Sequence, residues 1–293
     1  LQKKFYEKNE INKLLVVNKP LFISSNFYLN KIKRKYKSKK AGFSGILDPF
    51  AKGCFIVAFG QYTKLFNYLE KTPKTYKAVI WLGVKSKSFD IEKIEEIGFE
   101  KRVDKEFLLK QINSLKADIK YIPPKFSAKK VNGVKAYELA RNGLEFELKT
   151  SKMTVFDIRL LKYNHPFIAF ETIVSEGSYI RSLAQILLEK LGLKGTLSYL
   201  QRVKEGKFFY ENEKELNPLD FINLPQNRYF GTQKWLEYGK KLGIDYLENK
   251  EDGKYLIICE DFFSIIEINN KDVKYLLNKI PKLKAKSDCK ILC

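Results

Sequence analysis

The chain has 293 residues, 44% hydrophobic and 14% aromatic, enough apolar material for a substantial core and too much for a disordered polyelectrolyte. Its 55 Lys and Arg against 34 Asp and Glu give a formal charge of +21, the electrostatic footprint of a polyanion binder. Only seven of the basic residues are Arg, and a Lys-, Ile- and Asn-rich genome produces the same bias, so charge alone does not fix the partner.

No run approaches the roughly 18 apolar residues of a membrane-spanning helix, and "LLVV" (14–17) is too short for a signal-peptide core. Cys54 and Cys259 lie in apolar, strand-like runs and read as buried thiols. Cys289 and Cys293 stand in a Lys-rich tail. With His165 the single histidine and far away, two thiols do not complete a zinc site. The expectation is reduced thiols, no metal and a cytoplasmic protein.

In chain order, "KLLVVNKP" (13–20) reads as a strand ended by Pro20. The next stretch, 24–40, reads as a helix capped by Ser24, Ser25 or Asn26, with seven basic residues among 31–40. That stripe is either a solvated helix face or a phosphate-contacting surface. "CFIVAFG" (54–60) predicts a buried strand, and "QYTKLFNYLEK" (61–71) carries apolar residues at helical spacing. "TYKAVIWLG" (75–83) is β-branched and aromatic, hence a strand. A helix over 104–115 precedes the loop "YIPPKFSAKKVNG", and "AYELARNG" is a short helix stopped by Gly143. Residues 167–192 read as strand, glycine turn and amphipathic helix ending at Gly192. From about residue 222, short strand-like pieces suggest a small, mostly β appendage.

The stretch "GFSGILDPFAKG" (42–53) holds one carboxylate, Asp48, among glycines. Asp-Pro ordinarily reads as a helix cap with Pro at the first helical position. Here Gly53 and the following strand leave room for barely one helical turn. Asp48 therefore sits on a short loop entering a strand, where glycines allow unusual backbone and close approach.

This loop resembles the catalytic loop of the TruB-type tRNA pseudouridine synthases, whose pattern is roughly G-H-x-G-x-L-D-P-x-A-x-G. Four further blocks are similar in order: "LLVVNKP…SSN", "KTYKAVIWLG", "YIPPKFSAKKVNGVKAYELARNG" and "SEGSYIRSLAQILLEKLG" followed by "YLQRV". Together they span about residues 13–204. The resemblance implies an α+β fold: a mixed β-sheet catalytic domain over 1–221, and a small, mostly β, PUA-like RNA-binding domain over 222–293, a tail that is short for such a domain.

It also implies the chemistry. Asp48 would act on the uridine as nucleophile or acid/base, Arg181 would pair with it through a planar charge-assisted contact, and Tyr76 would stack on the base. Phe43, Tyr179, Leu200 and Lys19 would bind the substrate. The expected activity is conversion of uridine 55 in the tRNA T-arm to pseudouridine by base flipping, without cofactor, metal, membrane or obligatory protein partner, as a monomer.

Two positions depart from the pattern: Phe43 replaces the family's histidine, and Ile46 a commoner polar residue. Ile46 also means that no Arg precedes Leu47-Asp48, unlike the R-L-D of ribosomal-RNA synthases. The alternatives are an RNA-binding folding helper without catalysis, which retention of Asp48, Tyr76 and Arg181 argues against, and a guide-RNA-dependent enzyme acting on ribosomal RNA.

Overall fold

The computed structural model describes residues 11–283, so Cys289 and Cys293 lie outside the described residues. Strand β1 (Leu14–Lys19) leads into helix α1 (Ser25–Lys35), short β2 (Ala41–Phe43) and β3 (Ala51–Phe59). Strand β4 (Lys74–Leu82) is followed by a hairpin, β5 (Val84–Ser86) and β6 (Ile94–Ile97). Then come α2 (Lys105–Asn113), β7 (Asp118–Tyr121), a small hairpin of β8 (Lys130–Val131) and β9 (Val134–Lys135), and α3 (Ala136–Arg141). The long β10 (Ser151–Asn164) turns into β11 (Phe167–Val174), then α4 (Ile180–Leu191), β12 (Gly195–Glu205) and short β13 (Phe208–Phe209). Helix α5 (Gln233–Glu237) precedes β14 (Gly253–Ile258), β15 (Phe262–Asn269) and β16 (Asp272–Pro281).

The main sheet runs β1-β3-β12-β4-β11-β10-β7, with β2 on β3 and β13 on β12. It is mixed: β3 and β12 pair in parallel, with Leu200 opposite Ala51, while the other neighbours are antiparallel. The α+β class and mixed sheet match the sequence reading.

Period-two alternation explains how the sheet is covered. Leu15, Val17, Phe55, Val57 and Phe59 point to one face, where they join Ile32 of α1 and Leu183 and Leu187 of α4. Leu14, Val16, Cys54, Ile56 and Ala58 point to the other and meet Phe263, Ile265 and Ile280 of the C-terminal sheet. The residues from 222 on thus share a core with β1 and β3, although Tyr255, Ile257 and Ile266 form a smaller cluster of their own.

Helix α1 starts where Ser24 accepts a hydrogen bond from the Phe27 N–H, the capping geometry expected of a serine. Helix α4 ends on Gly192 in the left-handed region. The helix expected over 61–71 is instead a 3-10 helix, Gly60–Asn67. The Gln61 N–H donates to Asn12 and the Thr63 hydroxyl to the Gly60 carbonyl, local bonds that tighten the segment. The expected loop 121–133 carries strand β8, and Cys259 is half-buried rather than buried. No helix among the described residues is long and apolar enough to cross a membrane.

Candidate active site

The loop between β2 and β3 is held from several directions. Gly45, at φ +58°, turns the chain out of β2. The Ser25 hydroxyl, at the start of α1, donates to the Leu47 carbonyl at 2.8 Å and accepts from the Leu47 N–H at 3.0 Å. The Ala51 N–H closes a turn onto the Asp48 carbonyl at 3.0 Å. Gly53, at φ +114°, has no room for a side chain, since a Cβ there would lie 2.2 Å from the Arg202 carbonyl. Glycine is required by this close approach of β3 to β12.

Lys19 lies beneath the loop, 0% exposed. Its ammonium donates to the carbonyls of Ala51 at 2.7 Å, Pro20 at 3.1 Å, Asp48 at 3.2 Å and Pro49 at 3.4 Å. Expected to bind substrate, Lys19 instead gathers the carbonyls that shape the loop, which is why its charge is tolerated in the interior. Burial lowers it to about 8, with Asp48 and Glu92 pulling it back.

Arg181, in the first turn of α4, is 2% exposed, whereas Asp48 retains 27%. Its Nε lies 2.9 Å from Asp48 Oδ2, but the N–H does not point along that line, so this is a charge contact rather than an aligned hydrogen bond. One terminal nitrogen donates to the Ser88 carbonyl at 2.9 Å and to Asp90 Oδ2 at 3.4 Å; the other donates to the Phe126 carbonyl at 2.9 Å. The planar fork expected to face Asp48 thus spans two carboxylates and two backbone carbonyls. Asp90 is itself held by the Ser88 hydroxyl at 2.6 Å. Burial raises its carboxyl above the usual range, against the pull of Arg181 and Ser88.

Asp48 stands where two cavities meet, of about 280 and about 300 Å³. The first contains Tyr76, Tyr179, Leu200, Arg202 and Lys74. The second contains Phe43, Asn26, Asp90, Tyr137 and Arg141. Burial raises the Tyr76 phenol, so it stays protonated at neutral pH. The Phe43 ring packs on Phe55 with centroids 4.8 Å apart and also lines the second cavity. A further hollow of about 350 Å³, bounded by Val16, Phe208, Glu215 and Asp220, contains none of these residues.

At the floor of the first cavity lies a buried charge cluster. Arg202 Nε donates to the Cys54 carbonyl at 2.9 Å, and another nitrogen to the Gly45 carbonyl at 3.1 Å. Glu205 lies 3.2 Å from both Arg202 and Lys74 and accepts from the Ser44 hydroxyl at 2.5 Å.

Of the expected site residues, Asp48, Tyr76, Arg181, Tyr179, Leu200 and Phe43 line the paired cavities, while Lys19 lies below them. Sequence reading missed Asp90, Arg202 and Glu205. A signal existed for the first: Ser86, Ser88 and Asp90 alternate with Lys85, Lys87 and Phe89, a period-two run of polar residues on the buried face. Among the described residues no cluster of three or more His, Cys, Asp and Glu is placed to hold a metal.

A mixed sheet that offers one loop aspartate, backed by a buried arginine, at the junction of two cavities on a basic chain is the architecture of a pseudouridine synthase. The TruB family pseudouridylate synthase N-terminal domain matches residues 33–180. A protein of Sulfurovum sp. strain NBC37-1 named tRNA pseudouridine synthase B is 55% identical over 93% of this chain and 98% of its own length. A protein of Campylobacter jejuni strain RM1221 with the same name is 53% identical over 93% of this chain and its whole length. The chain belongs to the TruB family of pseudouridylate synthases. A chain in the crystal structure of a Cbf5–Nop10–Gar1 complex shares the fold with a TM-score of 0.64 at 17% identity, over 92% of this chain and 84% of the other.

Proposed function

We propose that this protein converts uridine 55 in the T-arm of tRNA to pseudouridine, with Asp48 acting on the nucleotide. The observation that carries the reading is the Arg181–Asp48 contact at the meeting point of two cavities. Relatives at 50–55% identity named tRNA pseudouridine synthase B support tRNA as the substrate.

The reaction breaks the glycosidic C–N bond, turns the freed uracil and rejoins it to the sugar through carbon. Atoms and electrons balance within one nucleotide, so the chemistry calls for no redox partner or phosphoryl donor. It calls for a carboxylate beside the sugar and base, and the Arg181 guanidinium places a positive charge 2.9 Å from the Asp48 carboxylate. Tyr76, kept protonated by burial, stacks on the base and donates rather than accepts a proton. Tyr179 and Leu200 supply further walls for the uracil.

A uridine inside a folded arm must leave its stack, at a cost of a few kcal/mol. Stacking on an aromatic ring offsets part of that, and Phe43 offers one beside the second cavity. Lys and Arg on the surface hold phosphates and set the register. In this reading the enzyme acts in the cytoplasm as a monomer without guide RNA or protein partner, and residues from 222 on form a PUA-like RNA-binding unit.

Incubating the protein with an unmodified tRNA transcript and mapping pseudouridine tests the reading. Pseudouridine at position 55 without added cofactor or protein is the expected result. Folded protein that binds the transcript and leaves uridine 55 unchanged would return it to an RNA-binding helper.

A further inference from the structure

At the rim of the first cavity, Glu176 stands between two lysines. Its Oε1 lies 3.4 Å from Lys71 Nζ and 3.9 Å from Lys74 Nζ. Both distances exceed the roughly 2.7–2.9 Å of a well-formed charge-assisted hydrogen bond, so the carboxylate is held loosely. The three side chains also differ in how far they are enclosed. Lys74 is 7% exposed and Lys71 18%, whereas Glu176 retains 52%. Two sheltered cations therefore face one solvent-open anion, a contact that contributes little to the fold.

The backbone on either side of Glu176 is pinned. The Tyr121 hydroxyl donates to the Gly177 carbonyl at 3.1 Å, and the Ser178 hydroxyl to the Ser175 carbonyl at 2.8 Å. In front of Gly177 lies open space, since a Cβ there would meet nothing within 4 Å. The Glu176 side chain can therefore swing outward without disturbing its turn. Lys74 stays where it is when that happens. The buried Glu205 lies 3.2 Å from its ammonium and holds it from the other side.

We propose that Lys71 and Lys74 form a binding site for a backbone phosphate of the RNA, which the Glu176 carboxylate fills until the RNA arrives. The proposal rests on the tRNA-modifying reading above and adds where the strand is gripped. Lys74, Glu176 and Ser178 border the cavity that also holds Asp48 and Tyr76. A nucleotide seated with its sugar at Asp48 carries a phosphate on each side of that sugar. The Lys74 edge offers one of them a cation. A phosphodiester bears one negative charge, as the carboxylate does, so the exchange leaves the charge balance around Lys74 unchanged. Because the lysines are already neutralised, a passing polyanion that cannot fill the cavity gains little from them.

Filter binding of an unmodified tRNA transcript to the full chain, across a salt series, tests the site. Glu176→Gln keeps the side-chain shape and removes the competing charge. At about 0.1 M salt its affinity is expected to rise roughly 3–10-fold, with a log–log salt slope steeper by up to about 1. Adding Lys71→Gln to that variant should remove most of the gain. Glu95 supplies a matched control, 3.0 Å from Lys87 and 3.9 Å from Lys85 and outside the walls of both cavities. Glu95→Gln removes the same charge and should change affinity by less than about twofold.

Unchanged affinity and slope in Glu176→Gln would overturn the proposal. So would a loss of thermal stability without tighter binding, the mark of a structural ion pair. Equal gains from Glu95→Gln and Glu176→Gln would also overturn it, because net charge alone would then account for both. Mapping pseudouridine in the same samples separates the site from the reading beneath it. Binding that responds as expected while uridine 55 stays unmodified sinks the enzymatic reading and keeps the phosphate site. Turnover without a Glu176 effect does the reverse.

Discussion

Arg181 meets Asp48 through Nε alone, at 2.9 Å, while its terminal nitrogens are committed to Ser88, Asp90 and Phe126. The arginine is thus a bracket between the Asp48 loop, the Ser88–Asp90 turn and the segment before β8. Lysine at this position keeps one charge and cannot reach four partners from one nitrogen. Arg181→Lys is expected to lower kcat by roughly 100-fold or more, about 2.7 kcal/mol, with tRNA affinity within a few-fold. Normal turnover would show that the bracket is dispensable.

Asp48→Asn keeps the side-chain shape and removes the nucleophile or base. Turnover should vanish while tRNA binding stays within a few-fold, because the loop is shaped by Lys19, Ser25 and Ala51 through its backbone. Rates near wild type would remove Asp48 from the reaction.

Phe43 has two roles to separate. Its ring rests on Phe55 and also faces the second cavity. Phe43→Ala loses packing on a half-buried ring, roughly 1–2 kcal/mol of stability, together with about 1–3 kcal/mol of base stacking. Phe43→His keeps a flat face and should change activity little. Single-turnover rates on one tRNA, compared at temperatures where both variants are folded, decide it. An Ala variant as fast as wild type makes the ring a packing residue only.

The surface between α1 and β2 gathers Lys33, Arg34, Lys37 and Lys39 around a shallow groove. If it touches phosphates, neutralising Lys33, Lys37 and Lys39 should flatten the log–log salt dependence of tRNA binding by roughly 2–3. An unchanged slope leaves these lysines as a solvated face.

Lys19 makes a pH prediction. Its folded pKa of about 8 lies below the ordinary 10.5, so between those values the folded state binds fewer protons than the unfolded state. Stability contributed by this residue therefore rises with pH across that window. Denaturation midpoints of wild type and Lys19→Met should diverge from pH 8 to 10.5 in favour of wild type, by on the order of 1–3 kcal/mol. Parallel curves would mean that the ammonium is solvated.

Much of this molecule was legible because local rules and global fold agree. Ser24 caps, Gly143 and Gly192 stop helices, and the apolar runs of β1, β3 and β4 lie where their composition puts them. Asp48 was legible because too little chain remained behind Pro49 for a helix. The interior charges were not. Lys19 looks like a surface lysine beside a proline, and only the arrangement of four carbonyls explains its burial. Asp90 is 42 positions from Asp48 and 91 from Arg181, so no local pattern brings the three together. The strand-like pieces of the C-terminal part pair as a three-stranded antiparallel sheet, β14-β15-β16, but the side-chain period of β1 and β3 does not reveal what covers their second face.

That second face has a consequence for how the protein comes apart. Strand β3 leads directly from Asp48 into the interior, and its Ile56 and Ala58 meet Phe263 and Ile265 from the C-terminal sheet. Melting that sheet alone would wet the back of the strand that anchors the reactive loop. Heat should therefore unfold the two parts in one calorimetric event, with the amides of β3 and β15 exchanging with solvent at a common rate. A chain cut at residue 221 would expose Leu14, Val16 and Ile56 to water, and it would be prone to aggregate before it lost any residue of the reaction centre.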